Sequence, residues 1–334
     1  RMKIILSHGL PFALAHGGTQ TLIESLMQQA AALGIDMEPE RWWDEHQKGD
    51  ILHYIGRPLD MHVELAQRKG YRVVMTEFLD RTASRSRAAL LAQRAVKTVA
   101  ANLMPAWTGR LGWGVYRSMD ALVYVTDLEA GVAASLFGAP RAKLHVIPHG
   151  LPEADIASLR APDTEEDYLV CLATIHPRKN PLLLAEAANR AKVPVRFVGR
   201  PYGEDEPYFK AFLAALDPAL TRYEGFVTRE RKHELLRRAR GFVLLSEMES
   251  GCFAAYEAAA AGLPLLLSDL PWANRVYHGH AGVQFTALAS PDRIARDLAA
   301  FYATAHRGPQ MTFPVASWKD ITLRYLALYK ELLA

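Results

Sequence analysis

Apolar residues along this chain alternate between short runs of strand length and longer stretches with helical spacing. The short runs fall at 2–7, 50–55, 72–75, 121–125 and 144–147, and again at 168–173, 195–199, 223–226, 242–245 and 265–267. Between them, 21–33, 59–69, 128–136, 182–191, 208–216, 232–239 and 253–261 carry helix-favouring patterns, and the chain ends in helices near 291–305 and 318–333. Two apolar runs joined through a helix make a βαβ unit and hence a parallel sheet. The alternation stops over 151–167, which is rich in Pro, Asp and Glu and lacks periodicity, so the linker is expected there. The pattern predicts an α/β protein of two Rossmann-like parallel-sheet domains facing each other across a cleft. Their expected extents are 1–150 and 151–316, with 317–334 a terminal helix packing back on the first domain.

The most informative stretch is 241–269, read as strand, loop, helix and strand. Its loop ends at Gly251, and the helix start offers N–H groups around Gly251, Cys252 and Phe253. Such a terminus binds phosphate. Glu249 lies on the loop, and Glu257 follows eight residues later inside the helix. A carboxylate beside a phosphate site can accept bonds from sugar hydroxyls. Glu257 sits in an otherwise apolar, Ala-rich helix and needs a partner, which a ribose diol would supply. Glu247 reads only as a loop cap. A ligand both phosphorylated and polyhydroxylated fits this stretch.

A second cluster lies where the first strand of the second half meets its helix. Arg178 and Lys179, in Pro177-Arg178-Lys179-Asn180, stand at a strand's carboxyl edge beside a helix start. Two fixed cations there would neutralise a diphosphate and stabilise charge growing on it as a leaving group. In the first half, Gly17-Gly18 opens a helix after the first strand, which allows close backbone approach by a ligand. It is not a GxGxxG fingerprint. Glu77 and Asp80 follow another strand end and are site candidates.

With 334 residues, half of them hydrophobic, the chain can build two cores. A net charge of +3 gives no electrostatic case for nucleic acid. Two cysteines, Cys171 and Cys252, make neither a disulfide framework nor a metal set, which fits a reducing cytoplasmic compartment. No apolar stretch approaches the ~20 residues of a membrane span. Residues 81–117 hold basic residues and no Asp or Glu. Arg87, Arg94 and Lys97 fall on one helical face with Val96, Val99 and Leu103 opposite, and Trp107, Trp113 and Tyr116 follow. A peripheral contact with an anionic membrane, on its inner face, is the functional expectation.

Taken in order, these motifs resemble family 4 of the glycosyltransferases, the retaining group-1 family with the GT-B fold. The matching residues are Glu249 and Glu257 at E-x7-E spacing, Ala-Ala-Ala-Gly-Leu-Pro after them, Pro177-Arg178-Lys179-Asn180, Val146-Ile147-Pro148-His149-Gly150, Gly17-Gly18, and Ser317-Trp318 leading a helix that contains Leu328-Tyr329. The resemblance implies a metal-independent hexosyltransferase of polysaccharide biosynthesis with no cofactor. It would move a hexose from a nucleoside-diphosphate sugar, UDP or GDP being the expected nucleotides, to a glycan, lipid-linked or small-molecule hydroxyl. Arg178, Lys179 and Glu249 would carry catalysis. Gly17, Gly18, Gly251, Cys252, Phe253 and Glu257 would bind the donor.

Three departures from the family pattern stand out. Cys252-Phe253-Ala254 replaces the common Phe-Gly-Leu/Pro run. Thr174 stands where an Arg often precedes the Lys. Thr76-Glu77-Phe78 stands where a first-domain His is usual, so either Glu77 or His16 would take its acceptor-side role or the role is missing. Two competing functions follow: a non-catalytic nucleotide-sugar or glycan-binding module on the same fold, and a nicotinamide-dependent oxidoreductase, which the missing GxGxxG argues against.

Overall fold

The computed structural model describes residues 2–10, 12, 18–103 and 111–334. It divides into two compact units, Arg1–Gly150 together with Ala316–Ala334, and Leu151–Val315. Each is built on a six-stranded sheet in which every paired neighbour is parallel.

The first sheet runs β1 (Lys3–His8), β2 (Asp36–Pro39), β3 (Ile51–Ile55), β4 (Arg72–Thr76), β5 (Ala121–Tyr124) and β6 (Leu144–Val146), in the spatial order β2-β1-β3-β4-β5-β6. The inner strands are continuous apolar runs because helices cover both faces of a parallel sheet. β2, Asp-Met-Glu-Pro, carries no apolar run and is an edge strand, which is why hydrophobicity does not reveal it.

The terminal helix Trp318–Leu333 belongs to this unit. Ser317 and Asp320 form a reciprocal capping box at its start. Its Tyr329 hydroxyl lies 2.6 Å from Nδ1 of the buried His53, whose Nε2 lies 2.8 Å from Thr76 Oγ1. A Cβ at Gly150 would lie 2.7 Å from the Trp318 nitrogen, so only glycine lets the chain pass this close to the helix start.

The second sheet runs β7 (Leu169–Leu172), β8 (Val195–Val198), β9 (Thr221–Gly225), β10 (Gly241–Leu244), β11 (Leu265–Ser268) and β12 (Val283–Thr286), in the order β12-β11-β10-β7-β8-β9. The order reverses between β7 and β10. At such a switch point the connections leave in opposite directions and open a crevice at the carboxyl edge.

The expected linker is corrected here. Residues 153–160 form the helix Glu153–Arg160, begun by Pro152 and acidic in its first turn. Its Leu159 is fully buried in the second unit's core. Only Ile156 and Leu159 are strongly apolar within it, too few to show a period. No helix among the described residues is long and apolar enough to cross a membrane.

Candidate active site

The switch point brings two loops together. One leaves β7 and carries His176, Arg178, Lys179 and Asn180; the other leaves β10 and carries Ser246 to Gly251. Pro177–Lys179 is a single 3₁₀ turn, capped by the His176 ring, which accepts the Arg178 N–H at 3.2 Å. Asn180 takes a left-handed conformation (φ 54°, ψ 36°) and starts the helix Pro181–Ala191, with Pro181 at its first position. Its side-chain amide donates to the Leu245 carbonyl at 2.9 Å. The Glu247 N–H donates to the Arg178 carbonyl at 2.9 Å, and Arg178 Nη1 donates to the Met248 carbonyl at 2.8 Å. Backbone and side chains therefore stitch the two loops into one rigid platform.

The chemistry converges on this platform. Lys179 Nζ donates to Glu249 Oε1, and Arg178 Nη1 lies 3.9 Å from Glu249 Oε2. The Lys179 and Glu249 side chains are 14% and 10% exposed, so the pair is largely shielded from water. Gly251 (φ 65°) then turns the chain into the helix Phe253–Ala260, where Cys252 supplies no side-chain cap. Cys252 is buried, and burial pushes its thiol up to about 12, so it presents a neutral surface at the helix start.

Glu257 lies one turn into this helix and has a partner that the sequence did not reveal. Lys232 Nζ, from the helix Arg229–Arg238, donates to Glu257 Oε1 at 2.5 Å. Lys232 is hidden in a mostly basic run, Arg229-Glu230-Arg231-Lys232, where nothing marks the lysine as facing inward.

In the first unit, Glu77 is buried at the end of β4. Its Oε1 accepts from Arg57 Nε at 2.8 Å and its Oε2 from the Tyr116 hydroxyl at 2.6 Å. Burial raises the Glu77 carboxyl, and Arg57 and Tyr116 oppose that rise. The Arg57 guanidinium lies 5.0 Å from the Tyr116 ring centroid and 4.9 Å from that of Phe137. Glu77 is thus committed to holding Arg57 in place. Asp80 begins the short helix Asp80–Ala83 and accepts the Arg81 N–H at 2.6 Å. Gly18 is the first residue of the helix Gly18–Ala32, whereas His16 and Gly17 lie outside the described residues.

The expected basic face of the helix Arg87–Leu103 needs correcting. Arg87 and Arg94 are exposed, but Lys97 turns inward, donating to the Phe137 carbonyl at 3.4 Å. It lies 5.8 Å from the Trp113 ring and 5.7 Å from the Phe137 ring. Leu91, Val96, Val99 and Leu103 face solvent, 65%, 68%, 56% and 75% exposed. Trp107 lies outside the described residues.

Residues 154–305, nearly all of the second unit, match the family model described as Glycosyl transferases group 1. No curated protein matches the sequence significantly. Among solved structures, a glycosyltransferase from Rickettsia africae ESF-5 is similar over 99% of both chains, at 13% identity and a TM-score of 0.70. Sucrose-phosphate synthase from Thermosynechococcus elongatus is similar over 100% of this chain and 99% of its own, at 15% identity and a TM-score of 0.66. Anabaena HepE, solved with UDP and glucose, is similar over 98% of this chain and 100% of its own, at 12% identity and a TM-score of 0.65. The fold is the GT-B fold of two Rossmann-like units. The second unit carries the glycosyl transferases group 1 domain.

Proposed function

We propose that this protein is a family 4 retaining glycosyltransferase, moving a hexose from a nucleoside-diphosphate sugar to an acceptor hydroxyl. The observation that carries the reading is the Lys179–Glu249–Arg178 cluster at the switch point, set beside the start of the helix Phe253–Ala260. Lys179 and Arg178 hold the diphosphate, with the helix start adding its dipole. As the glycosidic bond breaks, negative charge grows on the leaving phosphate, and cations fixed beforehand stabilise it without reorganising. Glu249 then exchanges its lysine for hydroxyls of the donor sugar, and Glu257 takes the ribose. The leaving phosphate accepts the acceptor's proton on the same face, so no side-chain nucleophile and no metal ion is required.

UDP is the preferred nucleotide in this reading, with GDP second, because HepE was solved with UDP and glucose. The acceptor is a glycan, lipid-linked or small-molecule hydroxyl, in polysaccharide biosynthesis. The protein works in the cytoplasm, where both cysteines stay reduced, and touches the inner face of an anionic membrane through 81–117. The solvent-facing apolar side of the helix Arg87–Leu103, flanked by Arg87 and Arg94, supports that contact.

One observation favours a second reading, a nucleotide-sugar or glycan-binding module without turnover: Glu77 is consumed by Arg57 and Tyr116. A single experiment separates the two. The protein is screened by thermal shift with UDP, GDP, ADP, dTDP and CMP, then assayed for nucleotide release from the matching donors. A melting shift with release supports the transferase. A shift without release from any donor leaves the nucleotide-sugar-binding module, and no shift with any nucleotide removes the transferase and leaves only a glycan-binding module.

A further inference from the structure

One connection in the first unit differs from its neighbours. β2 joins β3 through residues 40–50, which form turns and no helix. The β2-to-β3 and β3-to-β4 steps run the same way across the sheet, so right-handed crossovers put both on one face. The second crossover is the helix Asp60–Arg68. Over β1 and β3 the first leaves no equivalent helix, although parallel sheets are normally covered on both faces. A cavity of about 1270 Å³ lies there.

Its floor is made of strand residues in register. Ile5 pairs with Leu52, and Ser7 with Tyr54, one step nearer the carboxyl edge. Ser7 and Tyr54 are 5% and 9% exposed, and among the described residues neither hydroxyl has a protein hydrogen-bond partner. Both hydroxyl oxygens open onto the cavity and its water, and a ligand that displaces that water must bond them in turn, because a hydroxyl left unmet is costly.

The wall opposite the helix Asp60–Arg68 is the 40–50 loop, which is internally braced. Glu38 Oε2 accepts from Arg41 Nη1 at 2.7 Å, and Glu38 Oε1 from Gln47 Nε2 at 2.9 Å. The Arg41 N–H donates to Gln47 Oε1 at 2.7 Å, and Arg41 Nε to Asp44 Oδ2 at 2.9 Å. The braced loop presents Trp42 and Trp43, 67% and 96% exposed, and both line the cavity. Adjacent indoles held in water by a braced loop form a stacking surface. The loop's remaining carboxylates, Glu40 and Glu45, also line the cavity.

These features together select one ligand chemistry. An alkyl chain would fill the apolar floor but leave the Ser7 and Tyr54 hydroxyls unmet. A phosphate would meet Glu40 and Glu45, and of the cations lining the cavity Arg41 is held by Glu38 and Asp44 and Arg57 by Glu77, which leaves only the exposed Lys69 among the described lining residues. A neutral saccharide offers C–H faces to the indoles and hydroxyls to Ser7, Tyr54 and the carboxylates. The volume exceeds that of common small-ligand pockets, roughly 300–1,000 Å³, and suits several sugar residues.

We propose that the cavity beneath the Trp42–Trp43 loop binds a neutral glycan, the sugar chain of the acceptor. This inference rests on the transferase reading, whose acceptor class it names. The test titrates the full chain with neutral malto-, cello-, xylo-, manno- and chito-oligosaccharides and with n-octanol, by calorimetry and tryptophan fluorescence. Saturable binding of at least one oligosaccharide is expected. Trp43→Ala should weaken it by about tenfold or more, and Tyr54→Phe by roughly three- to tenfold. Circular dichroism of each variant is compared with the parent, and Tyr54→Phe removes one oxygen while keeping the ring that packs. Binding of n-octanol in place of every glycan would overturn the proposal. So would the absence of saturable glycan binding, or glycan binding that is indifferent to Trp42→Ala, Trp43→Ala and Tyr54→Phe. Failure of the transferase reading looks different: glycan binds through these residues, but no donor releases nucleotide.

Discussion

Lys232 and Glu257 form an ion pair between the helices Arg229–Arg238 and Phe253–Ala260, with Nζ 2.5 Å from Oε1. The Glu257 carboxylate is therefore already half satisfied before any ligand, such as the proposed ribose, arrives. Its orientation depends on the lysine, and the free Oε2 is the oxygen left for a diol. Glu257→Ala should weaken nucleotide binding about tenfold or more, close to 1.4 kcal/mol. Lys232→Met should weaken it too, by releasing the carboxylate. The double variant should lose less than the sum, because both changes act on one unit. Nucleotide titration of the four proteins measures this. Fully additive losses would separate Lys232 from the ribose site, and unchanged affinity in Glu257→Ala would remove that site.

Lys179, Arg178 and Glu249 should divide their effects differently. Lys179 is the more enclosed cation, held directly on Glu249. Lys179→Ala should lower kcat by roughly 10²–10³-fold, the cost typical of losing one preorganised charge-stabilising group. Arg178 is 31% exposed and also braces the Met248 carbonyl, so Arg178→Ala should cost less in turnover and more in stability. Glu249→Gln should raise KM for the donor while leaving affinity for the free nucleotide near that of the parent, because the proposed task of Glu249 is to hold the sugar. Steady-state kinetics beside nucleotide titration separate the three. Equal losses in nucleotide affinity for all of them would overturn the division.

The floor of the same platform depends on Gly199, at the end of β8. Its φ is +149°, and a Cβ there would lie 1.9 Å from the Ala173 carbonyl oxygen. That contact is with backbone, so nothing can rotate away. Ala173 opens the loop that carries Arg178 and Lys179. Gly199→Ala should destabilise the protein by about 3 kcal/mol or more and lower its melting temperature by roughly 6–12 °C. It should also weaken nucleotide binding by displacing the loop. An unchanged melting temperature in a calorimetric scan would show that the backbone adjusts freely, contrary to this prediction.

The fold was legible where apolar runs are long. β3, β4, β5, β7, β10 and β11 are buried on both faces and read directly as short hydrophobic segments. β2 and the helix Glu153–Arg160 were not legible, because each buries too few apolar side chains to set a period. In the site, Arg178, Lys179 and Glu249 stood out because turn residues place them at strand ends. Their mutual pairing did not, because contacts between residues seventy positions apart leave no local trace. Lys97 shows the limit most clearly. Helical spacing put it on a basic outer face, and the Phe137 carbonyl and two aromatic rings draw it inward. The Ser7–Tyr54 hydroxyl pair was also invisible, because strand register is a tertiary property.

His53 provides one part of the pH dependence, beside His233, which burial lowers to about 4. His53 is fully buried between Tyr329 and Thr76, and loss of water lowers its imidazole from the ordinary 6.5 to about 3. The native state thus holds His53 neutral, while the unfolded chain protonates it below 6.5. This group's contribution to stability is complete above pH 6.5 and is lost as pH falls from there toward 3. Within that window the slope from one such group approaches about 1.4 kcal/mol per pH unit. Protonation would also turn both ring nitrogens into donors, forcing both hydroxyls to accept and straining the bond that ties the helix Trp318–Leu333 to β3. Denaturant unfolding of the parent and of His53→Gln at pH 7.5, 6, 5 and 4.5 tests this. The glutamine keeps a donor and an acceptor but does not titrate. Its stability should fall less steeply below pH 6.5 than the parent's, whatever its starting value at pH 7.5. Parallel pH profiles would show that His53 is not the group that makes this core sensitive to acid.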